Sequence, residues 1–157
     1  MPETMPAAPR PTAADFEHLL AFRLSLRRFQ HWSETQAKAA GLTHVQHQLL
    51  VAVKGHPGGA PPSVGDIAGY LLLRHHSAVE LVDRAEAAGL VRRETDPADA
   101  RVVRVRLTSK GDRLVTELSR AHLDELHKLA AVLNELTEGT TTATFGEALP
   151  SRSQNGR

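Results

Sequence analysis

Five segments of the chain carry apolar residues at helical spacing. The first runs from Asp15 to about Ala40 and is apolar on more than one face. A helix with this pattern is buried on more than one side, and in a chain of 157 residues we expect the second side to be covered by another subunit. The apolar positions of this helix are Phe16, Leu19, Leu20, Phe22, Leu24, Leu26 and Phe29.

Capping residues mark where the next helices begin. Thr43 with Gln46 matches the capping box, in which an N-cap hydroxyl and a side chain three residues on satisfy backbone N–H groups reciprocally. Ser63 with Asp66 indicates another helix start. The Gly- and Pro-rich sequence GHPGGAPP predicts a loop between these two helices. A further helix is expected from about His75, because apolar residues recur three and four apart at Ala78, Leu81, Val82 and Ala85.

After this helix the spacing of the apolar residues changes from that of a helix to that of a strand. Gly41 and Gly89 are typical helix-ending glycines, and a short strand is expected after the second of them. Val103, Val105 and Leu107 alternate with Val102, Arg104 and Arg106, and the turn sequence DPADA separates this strand from the first. The pattern predicts a two-stranded hairpin with basic residues on one face. Thr108 then caps a long helix that carries Leu114, Leu118, Leu126, Leu129 and Leu133.

Composition excludes several classes of protein. The 19 Lys and Arg residues nearly balance the 18 Asp and Glu residues, which excludes a polybasic protein that coats nucleic acid by charge alone. The absence of cysteine excludes disulfides, a thiolate zinc site, a nucleophilic thiol and sensing by thiol oxidation, and it fits a reducing cytoplasm. Neither a signal peptide nor a membrane span is predicted, because the apolar runs, such as Leu71-Leu72-Leu73, are far too short to cross a bilayer.

The order helix, tight turn, helix, hairpin is that of a winged helix-turn-helix, which reads DNA. The second helix of such a pair enters the major groove with its N-terminal residues at the base edges, and arginine in the hairpin loop suits the minor groove. Asp99 is expected to hold the guanidinium of Arg101 in place. The expected DNA-binding residues are Arg74, His75, His76, Ser77, Arg84, Asp99 and Arg101. The alternative for each feature alone is an ordinary polar helix start or a solvated loop residue.

The predicted fold class is mostly α with a small β-hairpin. A disordered arm over 1–12 is expected from its Pro-rich sequence. The winged helix-turn-helix DNA-binding region covers 43–108, and a helical dimerisation region is drawn from both chain ends, 13–42 and 109–149. Within the latter, a last helix is expected from Glu138 to Leu149. Residues 150–157 are expected to be a disordered tail.

Two stretches of the sequence resemble the MarR family of bacterial regulators. They are VGDIAGYLLLRHHSAVELVDRAEAAGLVRR and DPADARVVRVRLTSKG, and the second contains the Asp-x-x-Asp-x-Arg turn, the alternating strand and the closing Leu-Thr-x-x-Gly of that family's wing. The resemblance covers roughly residues 15–135. It implies a homodimer whose first and last helices intertwine and whose two winged domains read a pseudo-palindrome. It also implies that Arg101 is the wing-tip arginine, supported by Asp99, and that residues 74–77 begin the recognition helix.

Three departures from the family pattern lie at the turn and the recognition helix. Leu72 stands where the family often has the turn glycine, which puts the geometry of the turn in question. Arg74 replaces the usual small N-cap residue, so this helix is expected to begin a residue or two later. The paired histidines His75 and His76 are uncommon there and suggest a somewhat different operator, or binding that is sensitive to pH.

The family resemblance also implies a small-molecule effector. Members often respond to small aromatic or phenolic acids, in a pocket between the dimerisation helices and the winged domain. The residues expected to line such a pocket are Arg28, His31, Trp32, His44 and His47. Trp32 offers a stacking face and Arg28 a partner for a carboxylate. The alternative is that Trp32 packs where two helices meet.

No cofactor, metal site or enzyme is predicted. His44 and His47 share a helix face, but His122 and His127 are five residues apart, a poor spacing for joint metal ligation. The sequence has no Gly-rich phosphate loop and no G-x-S-x-G turn. We therefore expect a cytoplasmic DNA-binding regulator, a repressor released by a ligand such as an aromatic acid. The alternative is a helical dimeric protein-interaction module that has kept the fold and lost DNA binding.

Overall fold

The computed structural model describes residues 10–138 and confirms the predicted fold class, a mostly helical chain with one antiparallel hairpin. The predicted last helix beyond residue 138, the C-terminal tail and all but residues 10–12 of the N-terminal arm lie outside the described residues. In chain order the elements are α1 (Ala13–Ala39), α2 (His44–Gly55), α3 (Val64–Tyr70), α4 (His75–Ala87), β1 (Val91–Thr95), β2 (Val103–Leu107) and α5 (Ser109–Thr137).

The predicted capping box at Thr43 is present, and the helix start predicted at Ser63 also carries a capping box. The Thr43 N–H donates to Gln46 Oε1 at 3.0 Å, and the Gln46 N–H donates to Thr43 Oγ1 at 3.1 Å. Ser63 and Asp66 form the same reciprocal pair at 2.8 and 3.0 Å. These side chains satisfy N–H groups that a helix start leaves without partners. The beginnings of α2 and α3 are therefore fixed by local sequence.

The hairpin is tied to the helix-turn-helix by a third piece of chain. β1 and β2 pair in the register Val91↔Leu107 to Thr95↔Val103. On the other edge of β2, the Val105 N–H donates to the Pro62 carbonyl at 2.9 Å. The Arg104 guanidinium donates to the Pro61 carbonyl at 2.8 Å and also forms an ion pair with Asp96. The wing is therefore held against the loop that leads into α3.

The buried core joins the winged region to the first turns of α5. Its buried members come from the end of α1, from α2, α3 and α4, from the hairpin and the residue before it, and from α5; the largest of them are Leu49, Leu50, Ile67, Leu81, Val82, Leu90, Val91, Val105 and Val115. By contrast, α1 and the middle of α5 leave large apolar side chains exposed. Within residues 10–138, no helix is long and apolar enough to cross a membrane.

The turn between α3 and α4 has the geometry of a glycine turn although it contains leucine. Leu72 has φ 52°, its N–H donates to the Gly69 carbonyl, and the next N–H, of Leu73, donates to Ala68. This pair of bonds is the Schellman motif, whose left-handed residue is usually glycine. Gly41 and Gly89 occupy that position after α1 and α4, with φ 80° and 71°. The turn thus keeps the expected geometry, at the cost of a strained Leu72.

Replacing Leu72 with glycine is expected to raise the free energy of unfolding by about 0.5–1 kcal/mol, because relief of the left-handed strain exceeds the extra chain entropy of glycine. The side chain is 93% exposed, so little packing is lost. Urea denaturation measures the change. Leu72→Ala is the control, since it removes the side chain and keeps the strain. Glycine no more stable than alanine at this position would contradict the account.

The first turn of α5 packs directly on the chain that leaves α4. A Cβ at Gly111 would lie 2.0 Å from the Leu90 carbonyl oxygen. The same carbonyl accepts from the Thr108 N–H at 3.0 Å, and the Thr108 hydroxyl donates to Gly89 O at 2.6 Å. The glycine that closes the wing signature is therefore required by a close backbone approach.

Candidate DNA-binding surface and adjoining chamber

The recognition helix begins where its first polar residues meet solvent. Arg74 is the N-cap, with extended backbone (φ −68°, ψ 151°) and no side-chain capping bond, and α4 starts at His75. The later start expected from Arg74 is therefore not observed. Arg74, His75 and His76 are exposed, and Ser77 is half-buried. The absence of a side-chain cap leaves the N–H groups of the first turn open to an outside acceptor such as a phosphate.

The tip of the wing is an arginine braced by an aspartate, as the sequence predicts. Asp99 Oδ1 accepts from the Arg101 N–H at 3.0 Å and from Nε at 3.2 Å, and Oδ2 accepts from Nη2 at 3.3 Å. These bonds to Arg101 hold the pKa of Asp99 below its ordinary value. The Arg101 side chain remains 90% exposed. The hydrogen bonds to Asp99 therefore orient the Arg101 guanidinium, while the side chain remains exposed to solvent.

A second aspartate shapes the turn beneath that arginine. Asp96 Oδ1 accepts from the Ala98 N–H at 2.7 Å and from the Asp99 N–H at 3.1 Å, and its other oxygen pairs with Arg104. The Arg104 hydrogen bond is the main cause that lowers the pKa of Asp96. Asp96 belongs to the wing signature, but no role for it was expected from the sequence. The structure shows that it links the wing tip to the base of the wing.

One groove joins the two predicted DNA-reading elements. It has a volume of about 340 Å³ and lies between the start of α4, the start of α3 and the wing. His75 and Arg101 both line it. Arg93 lines it too, a residue absent from the predicted set. Two segments that are separated along the chain therefore face the same surface.

Ion pairs remove most of the negative charge near this surface. Arg93 pairs with Asp83 at 2.6 Å and with Glu86 at 3.0 Å, which joins β1 to α4. Glu94 pairs with both Arg92 and Arg106, so the basic face predicted for the hairpin is partly neutralised. In the part of the chain that the structure describes, Arg74 and Arg84 form no ion pair. Beside this surface, α4 thus carries arginines whose charge no carboxylate among the described residues neutralises.

A chamber of about 630 Å³ lies behind the helix-turn-helix. It is bounded by α1, α2, the turn after α3 and the middle of α5. His44 and His47 line it, as the sequence predicts. The full set of lining residues is Leu26, Phe29, Gln30, Ser33, His44, His47, Gln48, Val51, Ala52, Tyr70, Leu71, Leu72 and Leu129. One cavity therefore touches both proposed dimerisation helices and the turn that carries the recognition helix.

Three of the predicted lining residues lie elsewhere. The stripe of α1 that faces the chamber follows helical spacing, so Arg28 and His31 fall outside it and are exposed. Trp32 is half-buried and packs on α5, with its ring centroid 4.7 Å from that of His122 and 6.1 Å from that of Phe29. This is the alternative raised from the sequence, a tryptophan that packs where two helices meet.

A contact between two distant histidines was not predicted. The His47 and His122 ring centroids are 4.6 Å apart. Nδ1 of His122 donates to the Leu118 carbonyl at 2.8 Å, so its Nε2 accepts from the Ser33 hydroxyl at 2.8 Å. His47 is only 4% exposed, and neither of its ring nitrogens has a hydrogen-bond partner among residues 10–138. Burial, with smaller effects of His122 and His44, lowers the pKa of His47 to about 4.

Acid is expected to destabilise the protein through His47. The unfolded histidine takes up a proton near pH 6.5 and the folded one only near pH 4, so between these values the unfolded state holds more protons. Each pH unit in this window removes about 1.4 kcal/mol, so stability falls by about 2 kcal/mol between pH 7 and pH 5. Urea denaturation of wild type and His47→Phe at both pH values tests this. An equal loss in both proteins would contradict it.

Within residues 10–138, no group of three or more histidine, aspartate or glutamate side chains is arranged to hold a metal ion. His44 and His47 share a helix face as expected. His44 Nε2 is, however, within 3.0 Å of the Gln48 side-chain nitrogen. The two imidazoles are thus part of the chamber wall.

The order α2, α3, turn, α4, hairpin, with the wing tied to the loop before α3, defines a winged helix-turn-helix protein. Residues 40–102 match a family model described as MarR family. The chain is 38% identical over 56 residues to the uncharacterized HTH-type transcriptional regulator YsmB of Bacillus subtilis (strain 168), which is 36% of this chain and 38% of that protein. It is 33% identical over 86 residues to the transcriptional regulator HosA of Escherichia coli O111:H-, which is 55% of this chain and 62% of that protein. The matched segments thus span less than two thirds of either relative.

Solved structures extend the likeness over more of the chain. AbsC, a MarR family transcriptional regulator from Streptomyces coelicolor, has a TM-score of 0.67 at 21% identity, with coverage of 84% of this chain and 93% of that one. A point mutant of S. aureus MepR bound to an oligodeoxyribonucleotide has a TM-score of 0.58 at 21% identity over 79% and 91% of the two chains. Bordetella bronchiseptica BpsR, solved in connection with regulation of its DNA binding by 6-hydroxynicotinic acid, has a TM-score of 0.57 at 24% identity over 80% and 98%. At these identities the likeness shows the fold.

Residues 40–102 of the chain are thus similar to the MarR family, and the likeness to solved structures extends the shared fold over about four fifths of the chain.

Proposed function

We propose that the protein is a DNA-binding transcription regulator, a repressor that binds a pseudo-palindromic operator as a homodimer in the cytoplasm. The observation that carries this proposal is the single groove that places His75, at the start of α4, beside the braced Arg101 of the wing. A helix in the major groove and an arginine in the neighbouring minor groove need that arrangement. The DNA-bound state of the MepR mutant is consistent with it.

The exposed apolar surface of α1 and α5 supports the homodimer. These two helices pack on each other within the chain, yet each leaves a row of large apolar side chains between 37% and 67% exposed. Extended apolar patches of this kind mark protein interfaces. The residues are Phe16, Leu19, Leu20, Phe22, Leu24, Leu123, Leu126 and Val132. A two-fold dimer through them would present two wings and two recognition helices to one duplex.

The position of the chamber supports the proposal that a small ligand releases the protein from DNA. A ligand within it would contact α1 and α5 on one side and Leu71 and Leu72 of the turn on the other. The turn leads directly into α4. A ligand that binds more tightly to one arrangement of these helices than to another would therefore shift the dimer toward that arrangement and change the spacing of its two recognition helices. In BpsR, DNA binding is regulated by 6-hydroxynicotinic acid.

A gel shift with the DNA upstream of the protein's own gene tests the proposal. At low salt we expect retardation at nanomolar to micromolar protein, and a steep loss of affinity as salt rises, because phosphate contacts release counterions. A scrambled duplex of the same length and composition is the control. No retardation at low salt would contradict DNA binding and favour the protein-interaction module.

A further inference from the structure

The wing is attached to the rest of the chain along both of its edges. On the β2 edge, the Val105 N–H donates to the Pro62 carbonyl at 2.9 Å. On the β1 edge, the N–H of Arg93, the residue opposite Val105, points away from β2 and donates to Glu86 Oε1 at 2.9 Å. A hairpin that is attached along one edge can pivot about that edge. The attachment of the second edge to Glu86 therefore fixes the angle between the wing and α4.

The Arg93 side chain strengthens the attachment of the β1 edge. Its Nε donates to Glu86 Oε2 at 3.0 Å, and its Nη2 lies 3.0 Å from the same oxygen. Its Nη1 lies 2.6 Å from Asp83 Oδ1. Asp83 and Glu86 are three positions apart on α4, so their carboxylates are neighbours on the helix surface. The planar guanidinium contacts both of them at once, which the single point charge of a lysine does less well.

These three residues, here called the Arg93 cluster, lie beside the groove that joins α4 to the wing tip. Arg93 lines this groove together with His75 and Arg101. Arg101 is oriented by Asp99, but both belong to the wing, so their contact does not fix the position of the wing relative to α4. The Arg93 cluster provides that connection. Because its guanidinium is already paired with two carboxylates, Arg93 is a weak candidate for a phosphate contact of its own.

The Arg93 cluster is open to solvent. The exposed fractions of the Arg93, Asp83 and Glu86 side chains are 37%, 49% and 36%. Ion pairs with this exposure contribute little to stability, so the chain should stay folded without them. Replacing both carboxylates with amides also removes two negative charges from α4, which by charge alone should strengthen DNA binding. A loss of wing function in this variant could therefore not be attributed to unfolding or to added repulsion.

We propose that Arg93 is a positioning residue for DNA recognition, which joins β1 to Asp83 and Glu86 and so holds the wing where Arg101 reaches the minor groove while α4 lies in the major groove. This inference rests on the DNA-binding function proposed above and deepens it. Arg93 acts through Arg101 and does not contact DNA itself. No role for Arg93 was expected from the sequence.

A double-mutant comparison measures the contribution of Arg101 with and without the cluster. Fluorescence anisotropy gives the Kd for a labelled duplex from upstream of the protein's own gene. In the wild-type background we expect Arg101→Ala to weaken binding by about 100-fold. With Asp83→Asn and Glu86→Gln we expect less than about 10-fold, because a pivoting wing no longer presents the arginine. Glu117→Gln with Asp124→Asn, at exposed positions of α5, is the matched control and should keep the full effect.

Substitutions of Arg93 itself separate positioning from a direct contact with DNA. Arg93→Gln is expected to reduce the effect of Arg101→Ala in the same way, and Arg93→Lys to restore part of it, because one cation remains. If Arg93→Gln weakened binding equally with and without Arg101, the two contributions would be independent and the positioning role would be wrong. A full effect of Arg101→Ala without the two carboxylates would also overturn the inference.

A distance measurement on the DNA-free protein tests the inference separately from DNA binding. Because the chain has no cysteine, nitroxide labels can be attached through Ala88→Cys, just after α4, and Ala100→Cys in the wing, both at exposed positions. Pulsed electron resonance on labelled chains diluted with unlabelled chains gives the distribution of distances between the labels. We expect a broader distribution with Asp83→Asn and Glu86→Gln than in wild type, and an unchanged one would overturn the inference. A broader distribution in a protein that does not retard DNA would contradict the regulator proposal and not the attachment of the wing by Arg93.

Discussion

Replacing Arg101 with alanine is expected to weaken operator binding by about 100-fold while the protein remains as stable as wild type. An arginine contact in a groove contributes about 1–3 kcal/mol, and a homodimer loses it at both wings. The side chain is 90% exposed and, among the described residues, bonds only to Asp99, so the fold has little dependence on it. The logarithmic salt dependence of binding should also become shallower, because the approach of the cation to the phosphates is lost.

Fluorescence anisotropy with a labelled operator duplex, at two or more salt concentrations, measures both effects. Arg120→Ala is the matched control, since it removes the same charge from the exposed surface of α5. Asp99→Asn weakens the brace and keeps Arg101, so its effect should be smaller than that of Arg101→Ala. If Arg101→Ala bound DNA with wild-type affinity and salt dependence, the wing would have no part in recognition.

Gly111→Ala is expected to destabilise the fold by about 3 kcal/mol, the upper part of the range for overpacking in a close contact. The added methyl would lie 2.0 Å from the Leu90 carbonyl oxygen, a backbone atom that β1 and Thr108 hold in place. Relief requires α5 to move away from the hairpin. This would break the Thr108 bonds that join α5 to the end of α4.

Urea denaturation monitored by circular dichroism measures that change. Gly69→Ala is the control, because a Cβ there meets nothing within 4 Å and the residue lies in the last turn of α3. We expect the control to stay within about 1 kcal/mol of wild type. A Gly111→Ala protein as stable as the control would show that the close approach to Leu90 is absent in solution.

Features that depend on neighbouring residues were predictable from the sequence. The two capping boxes, the helix end at Gly89 and the alternating strand all follow from rules that operate within four or five positions. The brace of Arg101 by Asp99 is also local, since these side chains are two positions apart in a turn. These features fixed the order of elements, and with it the expectation of a winged helix-turn-helix.

Features that depend on packing between distant segments were not predictable in this way. No spacing rule joins His47 to His122, and their contact exists only because α2 and α5 pack together. The position of Trp32 could not be predicted from spacing either, because its ring packs against His122 of α5 and does not line the chamber.

Selection of DNA from a random duplex pool by the purified protein, followed by sequencing, tests the central claim most directly. We predict an enriched inverted repeat whose half-site centres lie about one helical turn, roughly 10 base pairs, apart. Two recognition helices related by a dimer axis require that spacing. A pool in which no sequence rises above its starting frequency would contradict the claim that this protein reads DNA.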